Sequence, residues 1–325
     1  MKTLNIYINY FKKHLNELDL NREPKTLYDP IKYGLGVGGK RFRPALILLL
    51  CDFYGGNLDD AIPAALGIEL FHNFTLFHDD IMDKAQLRRG KETVVAKYGL
   101  NTALLAGDTL FAIAYSMVNK TNEKHLNRIL EEFTNTATKV CEGQQLDMDY
   151  ETQINVTKND YEKMIYLKTA VLIASSMKIG AIIGNCPAND ENLIYDIGIS
   201  LGLAFQLQDD YFDCFGNENT FGKKIGGDIV DAKKTFLYVS ACESINNETE
   251  RKYFYDLYNN KNIDNEEKIK KIITIYKNLN IDKKTIKQID YHIMEAKDVI
   301  HQLSIDNNKK DLISQVIDDI SNRNK

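Results

Sequence analysis

Proline occurs only five times and glycine 19 times in 325 residues. So few chain punctuators leave little room for many short strands and tight turns, and long helices are the economical alternative. The five cysteines, Cys51, Cys141, Cys186, Cys214 and Cys242, are widely spaced without a C-x-x-C pair. That spacing argues against a zinc site or a disulfide framework and for a reducing, cytoplasmic setting. Basic excess is missing too: 41 Lys and Arg against 46 Asp and Glu give a net charge of −5. A general nucleic-acid binder needs the opposite balance. No apolar run reaches the roughly 18 residues of a membrane span, and the opening MKTLNIYINYFKKHLNELDL lacks the apolar core of a signal peptide. What is there, 44% hydrophobic and 27% charged residues, is the composition of a globular protein with a sizeable core.

Apolar residues recur at three- and four-residue spacing over about 4–20, 41–54, 60–84, 100–119, 122–149, 159–185 and 190–215, and again over 234–257, 264–278, 283–303 and 308–322. This period predicts helices throughout, an all-α fold. Pro44 falls where a first-turn proline costs nothing, because its missing N–H would be unpaired anyway. The segments beyond Lys233 are richer in Lys, Asn and Asp, as expected of peripheral helices. With no linker and no repeat of fixed period, residues 1–325 are expected to form a single helical domain.

An aspartate triplet occurs twice, as Asp79-Asp80-Ile81-Met82-Asp83 and as Asp209-Asp210-Tyr211-Phe212-Asp213. Helix residues four apart have Cβ atoms about 5–6 Å apart, so Asp79 stacks with Asp83 and Asp209 with Asp213. Like charges at that spacing repel, and burying them unpaired is costly, so a cation must sit between them. Among hard divalent ions Mg2+ is favoured, since one or two carboxylates per ion leave positions for water and for a ligand's phosphate oxygens. A single D-D-x-x-D is commonly a solvated helix face. Two copies flanked by Leu76, Phe77, Ile81 and Met82, and by Phe205, Leu207, Tyr211 and Phe212, are unlike one.

Basic residues to accompany a polyphosphate lie in three clusters. Gly38-Gly39-Lys40-Arg41-Phe42-Arg43-Pro44 joins a flexible backbone to three cations before a helix N-terminus, which itself favours anions. Arg88-Arg89-Gly90-Lys91 follows the first triplet, and Gly222-Lys223-Lys224-Ile225-Gly226-Gly227-Asp228 follows the second in the same order. One basic run alone reads as a surface charge cluster; paired placement after each triplet points to phosphate. Two polar insertions interrupt apolar helices, Lys168-Thr169 and Gln206 with Gln208. They either pair with backbone, or place Lys168 on phosphate and the Thr169 and Gln206 oxygens toward a carbocation.

Taken together, GGKRFRP, HDDIMD, RRGK, Gly143-Gln144-Gln145-Leu146-Asp147, Lys168-Thr169, FQLQDDYFD and GKKIGGD resemble, in this order, the trans-polyprenyl synthetases, or isoprenyl diphosphate synthases. The resemblance runs from about Gly38 to Thr235. It implies an all-α fold around a deep cavity, usually homodimeric, that joins isopentenyl diphosphate to an allylic diphosphate head to tail. By that likeness Asp79, Asp83 and Asp209, with Asp80, Asp210 and Asp213 close by, hold three Mg2+ on the allylic diphosphate. Arg88, Lys168, Lys223 and Lys233 hold it directly. Lys40, Arg43, His72 and Arg89, beside Gly39, correspond to the isopentenyl diphosphate pocket, and Thr169 and Gln206 to positions that stabilise the cation. The resemblance also makes the departed diphosphate the acceptor of the final proton, so His72 is assigned to phosphate binding alone and His78 to packing.

Phe74, five positions before the first Asp, corresponds to the floor that limits chain growth, with Phe71 and Thr75 nearby. Ideal helix geometry puts Phe71 and Thr75 closer to the Asp79 column than Phe74, so that assignment comes from the resemblance alone. An aromatic floor goes with short products, here C15 or C20, with a longer-chain synthase as the alternative. A class I terpene cyclase is a poorer match because DDYFD stands where an Asn/Ser/Glu metal motif is usual. A head-to-head synthase would show D-x-x-x-D spacings, and a non-catalytic partner subunit would have lost Asp motifs that this chain keeps.

Overall fold

Helices form where the apolar period is strong. The computed structural model describes residues 2–216 and 225–321, and among these the only strands are Leu87–Arg88 and Lys91–Glu92. The all-α expectation holds. The helix Leu58–Met82 starts at Asn57, whose side chain accepts the Asp59 N–H (3.1 Å), and Asp59 and Asp60 complement the positive end of its dipole. Pro44 lies in the first turn of the helix Phe42–Phe53, where the sequence puts it.

Several elements differ from the sequence reading. The helix Lys25–Gly36 carries Pro30 and two glycines, breakers that hide it; burial of Pro30, Ile31 and Leu35 holds it. The single helix expected over 234–257 is two, Phe236–Ser244 and Glu248–Asn259, because Asn247 caps the second by accepting the Thr249 and Glu250 N–H groups (2.8 and 3.2 Å). These helices are not peripheral: Phe236, Leu237, Tyr238, Phe254 and Tyr258 are buried. One helical stretch, Lys158–Ile183, is also long and apolar enough to cross a membrane, with mean hydropathy 1.4 despite Lys168. Since 83% of that window is buried inside the protein, its apolarity serves a core.

The chain divides into two compact units, Met1–Asn135 with Ser175–Tyr195 and Leu303–Val316, and Thr136–Ala174 with Asp196–Gln302 and Ile317–Lys325. In the first, residues Ala45 to Cys51 of Phe42–Phe53 are buried all round. Each fully buried Leu or Ile there contributes about 1.5–3 kcal/mol before entropy is counted. Leu58–Met82 packs most extensively on Leu100–Val118, and an aromatic cluster of Phe71, Phe74, Phe111, Tyr115 and Phe133 fills that layer. The second unit has a tyrosine-rich core of Tyr161, Tyr238, Tyr258 and Tyr276 with Phe236 and Phe254. Tyr258 donates to the Lys233 carbonyl (2.6 Å) and so ties the segment before Phe236–Ser244 to this core.

Candidate active site

In the first unit the aspartate triplet marks the end of a helix. The Asp83 N–H bonds the Asp79 carbonyl (2.8 Å), Ala85 N–H reaches back to the Asp80 carbonyl (2.9 Å), and Lys84 is left-handed with φ 52°, which stops the helix in a Schellman-type turn. Carboxylates at the negative end of a helix dipole need cations nearby. The next seven residues supply one. Leu87–Arg88 pairs antiparallel with Lys91–Glu92 across Arg89-Gly90, both at positive φ (54° and 74°), as a two-residue type I′ hairpin turn requires. This hairpin was not legible as such in the basic run, and it separates the two arginines. Arg88 donates from Nε to Asp80 Oδ1 (2.8 Å), and its Nη2 reaches the same oxygen (2.7 Å) and Asp79 Oδ2 (3.4 Å). Arg89 instead bonds the Gly38 carbonyl.

Asp80 is only 3% exposed, and burial pushes its carboxyl up against the opposing pull of Arg88. Asp79 is half-buried and Asp83 exposed. The expected column of Asp79 over Asp83 is therefore accompanied by an inward-facing third carboxylate with a guanidinium partner of its own.

The glycine-rich segment brings its cations to different places. Gly39 has φ 150°, a backbone conformation that favours glycine, and an added Cβ would lie 2.8 Å from Arg89 Nη1. Lys40 is exposed. Arg41, left-handed at φ 50°, is turned inward to a buried ion pair with Glu69 and to the Leu35 carbonyl (2.6 Å). Arg43 Nη1 lies 3.3 Å from His72 Nε2. Burial and then Arg43, Arg89, Arg88 and Arg41 hold the His72 imidazole well below its ordinary range, so Nε2 accepts this bond as a neutral ring. A small open cleft lies beside these groups, lined by Asn73, Phe77, Asp80, Arg88, Arg89 and Thr93.

Phe74 stacks on Phe111 (centroids 4.8 Å, planes at 9°) and meets the His78 ring edge-on at 4.7 Å. Phe71 is fully buried beneath it, and the Thr75 hydroxyl donates to the His72 carbonyl (2.8 Å). Phe111 sits on another helix and carries no motif, so sequence reasoning missed it.

In the second unit, Lys168-Thr169 falls in a π-helical turn, Tyr166–Ala170, within Lys158–Ile183. One extra residue per turn carries both polar side chains through an apolar helix. Two glycines flank the bulge: an added Cβ at Gly143 would lie 2.7 Å from Lys168 Cα, and one at Gly202 would lie 2.8 Å from Ala170 Cβ. Lys168 Nζ bonds Asp147 Oδ2 (2.6 Å), while Lys233 Nζ bonds Glu151 Oε1 (3.1 Å) and lies 3.8 Å from the same Asp147 oxygen. Asp147 lies within the motif the sequence singled out, but its grip on both lysines was not foreseen.

Thr169 Oγ1 donates to Gln206 Oε1 (2.9 Å), and Gln206 Nε2 donates to Asp210 Oδ1 (3.0 Å). Asp210 Oδ2 accepts from the Tyr161 hydroxyl (2.6 Å) and the Phe236 N–H (3.2 Å). Burial pushes this carboxyl up to about 7 against the three donors. Asp209 is half-buried. Asp213 is buried; its carbonyl takes the Gly226 N–H (2.6 Å) and its Oδ2 the Asp228 N–H (3.1 Å), anchoring the short helix Gly227–Val230. Lys223 lies outside the described residues.

A polyprenyl synthetase family model matches residues 24–276 of this sequence. This chain belongs to the polyprenyl synthetase family, and it is a prenyltransferase. A geranylgeranyl diphosphate synthase of Methanosarcina mazei is 39% identical over 231 residues, covering 70% of this chain and 71% of that protein. A geranylfarnesyl diphosphate synthase of Natronomonas pharaonis is 37% identical over 238 residues, 68% of this chain and 70% of that one. A solved structure described as a geranylgeranyl pyrophosphate synthase superposes with a TM-score of 0.94 at 40% identity, covering 100% of both chains.

Proposed function

We propose that this synthetase joins isopentenyl diphosphate head to tail to an allylic diphosphate and releases a trans-prenyl diphosphate of the C15–C20 class, C20 being favoured by the relatives' names. One observation carries the proposal. In each unit a helix presents a pair of adjacent aspartates whose second member is buried and hydrogen-bonded while the first, Asp79 or Asp209, stays half-buried.

We assign Asp79 and Asp83 of the first unit, and Asp209 of the second, to Mg2+. Among the described residues no three His, Cys, Asp or Glu side chains converge into a cage. A site offering one or two carboxylates per ion fits an ion that draws its other ligands from water and phosphate. When bound, Mg2+ offsets charge building on the leaving diphosphate. Arg88, Lys168, Lys223 and Lys233 are assigned to the allylic diphosphate, and Lys40, Arg43, His72 and Arg89 to isopentenyl diphosphate. A neutral His72 fits that role, since it adds a hydrogen bond without adding to the crowded positive charge. Thr169 and Gln206 turn oxygen atoms toward the allylic cation, and the departed diphosphate takes the final proton. The Phe74–Phe111 pair is the floor that stops chain growth. We also propose that the enzyme is a cytoplasmic homodimer, consistent with Leu100, Leu104 and Leu105 being 56%, 44% and 58% exposed on one helix.

Purified protein, Mg2+ and labelled isopentenyl diphosphate, supplied in turn with dimethylallyl, geranyl or farnesyl diphosphate, should give labelled prenyl diphosphates whose length reverse-phase chromatography reads. Absence of label transfer from every starter overturns the proposal.

A further inference from the structure

We infer that Asp210 is the hub of a buried relay, Tyr161–Asp210–Gln206–Thr169, that aims the Gln206 carbonyl, and that Tyr161 is a positioning residue for prenyl transfer. The inference rests on the function proposed above and names what sets one of its groups.

The two ends of an amide differ in hydrogen-bonding sense, and geometry here leaves one orientation. Gln206 turns Nε2 to Asp210 Oδ1 (3.0 Å), a donor facing an acceptor oxygen, and Oε1 away from it. That oxygen then stands 2.9 Å from the Thr169 hydroxyl on the π-helical turn. Rotating the amide by half a turn would set the carbonyl against the carboxylate. The direction of the Gln206 oxygen is thus set by the contact of its amide nitrogen with Asp210.

Asp210 is in turn held from its other oxygen. Oδ2 takes the Tyr161 hydroxyl at 2.6 Å and the N–H of Phe236, first residue of Phe236–Ser244, at 3.2 Å. Tyr161 is 1% exposed, and its ring lies against Phe236 (centroids 6.1 Å). It sits in Lys158–Ile165, two turns before Thr169, so one helix contributes both ends of the relay. With both oxygens occupied by protein donors and 4% exposure, Asp210 differs from the half-buried Asp209 beside it. It serves the relay and is not a metal ligand.

Tyr161→Phe removes only the hydroxyl and keeps the ring against Phe236. With helical circular dichroism retained at the assay temperature, it should lower kcat about tenfold or more and leave KM for both diphosphates within about threefold, because a misaimed dipole is felt in the transition state. Calorimetric titration with Mn2+ and inorganic pyrophosphate gives a readout apart from turnover: Asp210→Asn should bind both as the wild type does, and Asp209→Asn should not. Unchanged kcat in Tyr161→Phe overturns the relay. Loss of Mn2+ binding in Asp210→Asn makes that residue a ligand and overturns the hub. Should Asp210→Asn not fold, Tyr161→Phe decides alone. An inactive wild type would instead overturn the proposed function, and this inference with it.

Discussion

Lys40 and Arg41 are neighbours in the chain, yet one is exposed and the other is buried against Glu69, because Arg41 takes a left-handed backbone conformation. A buried pair of this kind is costly to break from one side, since the remaining charge has no water and no partner. Glu69→Ala should therefore lose about 3–5 kcal/mol in urea unfolding, whereas Arg41→Met with Glu69→Leu should recover most of it. The aspartates follow the opposite logic. Asp79→Asn and Asp209→Asn should each cost about a hundredfold or more in turnover with unchanged helical circular dichroism, measured with saturating Mg2+. Near-normal rates in both would remove the metal assignment. Residue types and spacing picked out the carboxylates and the basic clusters as groups. They could not tell Asp79 from Asp80 or Lys40 from Arg41, since that depends on positive φ angles and on the partners those angles bring in, Arg88 across the turn and Glu69 on another helix.

At the scale of elements, the bulge in Lys158–Ile183 depends on what its neighbours lack. A methyl group at Gly143 meets the backbone of Lys168 rather than a movable side chain, so Gly143→Ala should destabilise by about 1–3 kcal/mol and displace Lys168 and Thr169. The expected result is a drop in turnover larger than the melting shift alone explains; full activity would show that the bulge absorbs the methyl. The chain-length floor is likewise shared between helices. Phe74→Ala should lengthen products, and Phe74→Ala with Phe111→Ala should lengthen them further, as read by reverse-phase chromatography. An unchanged profile in both removes the aromatic pair from that role. Long helices with a strong 3.6-residue period were legible, whereas the hairpin at 87–92 was not. Its strands are two residues each, too short for any period, and its turn is recognisable only from the φ angles of Arg89 and Gly90. The π turn leaves no mark in the sequence beyond a polar pair in an apolar run.

At the scale of the whole molecule, the all-α class followed from scarce Pro and Gly, and the helix Lys25–Gly36 escaped because tertiary burial overrides the breakers it contains. The charge-rich C-terminal segments misled for a related reason: tyrosine supplies much of the second unit's core, and a tyrosine counts as neither clearly apolar nor clearly surface in a pattern. Exposed leucines on Leu100–Val118 make a different kind of prediction. Leu104→Glu with Leu105→Glu should convert a dimer to a monomer in light scattering, and a mass unchanged from wild type would rule out this helix as the contact.

Asp147 and Glu151 pair with Lys168 and Lys233. Any anion that reaches those ammonium groups shares them with, or displaces, carboxylates of the helix Glu123–Thr152. Its hold is then weaker than two unpaired ammonium groups would give, which eases the departure of a reaction product before the next reactant arrives.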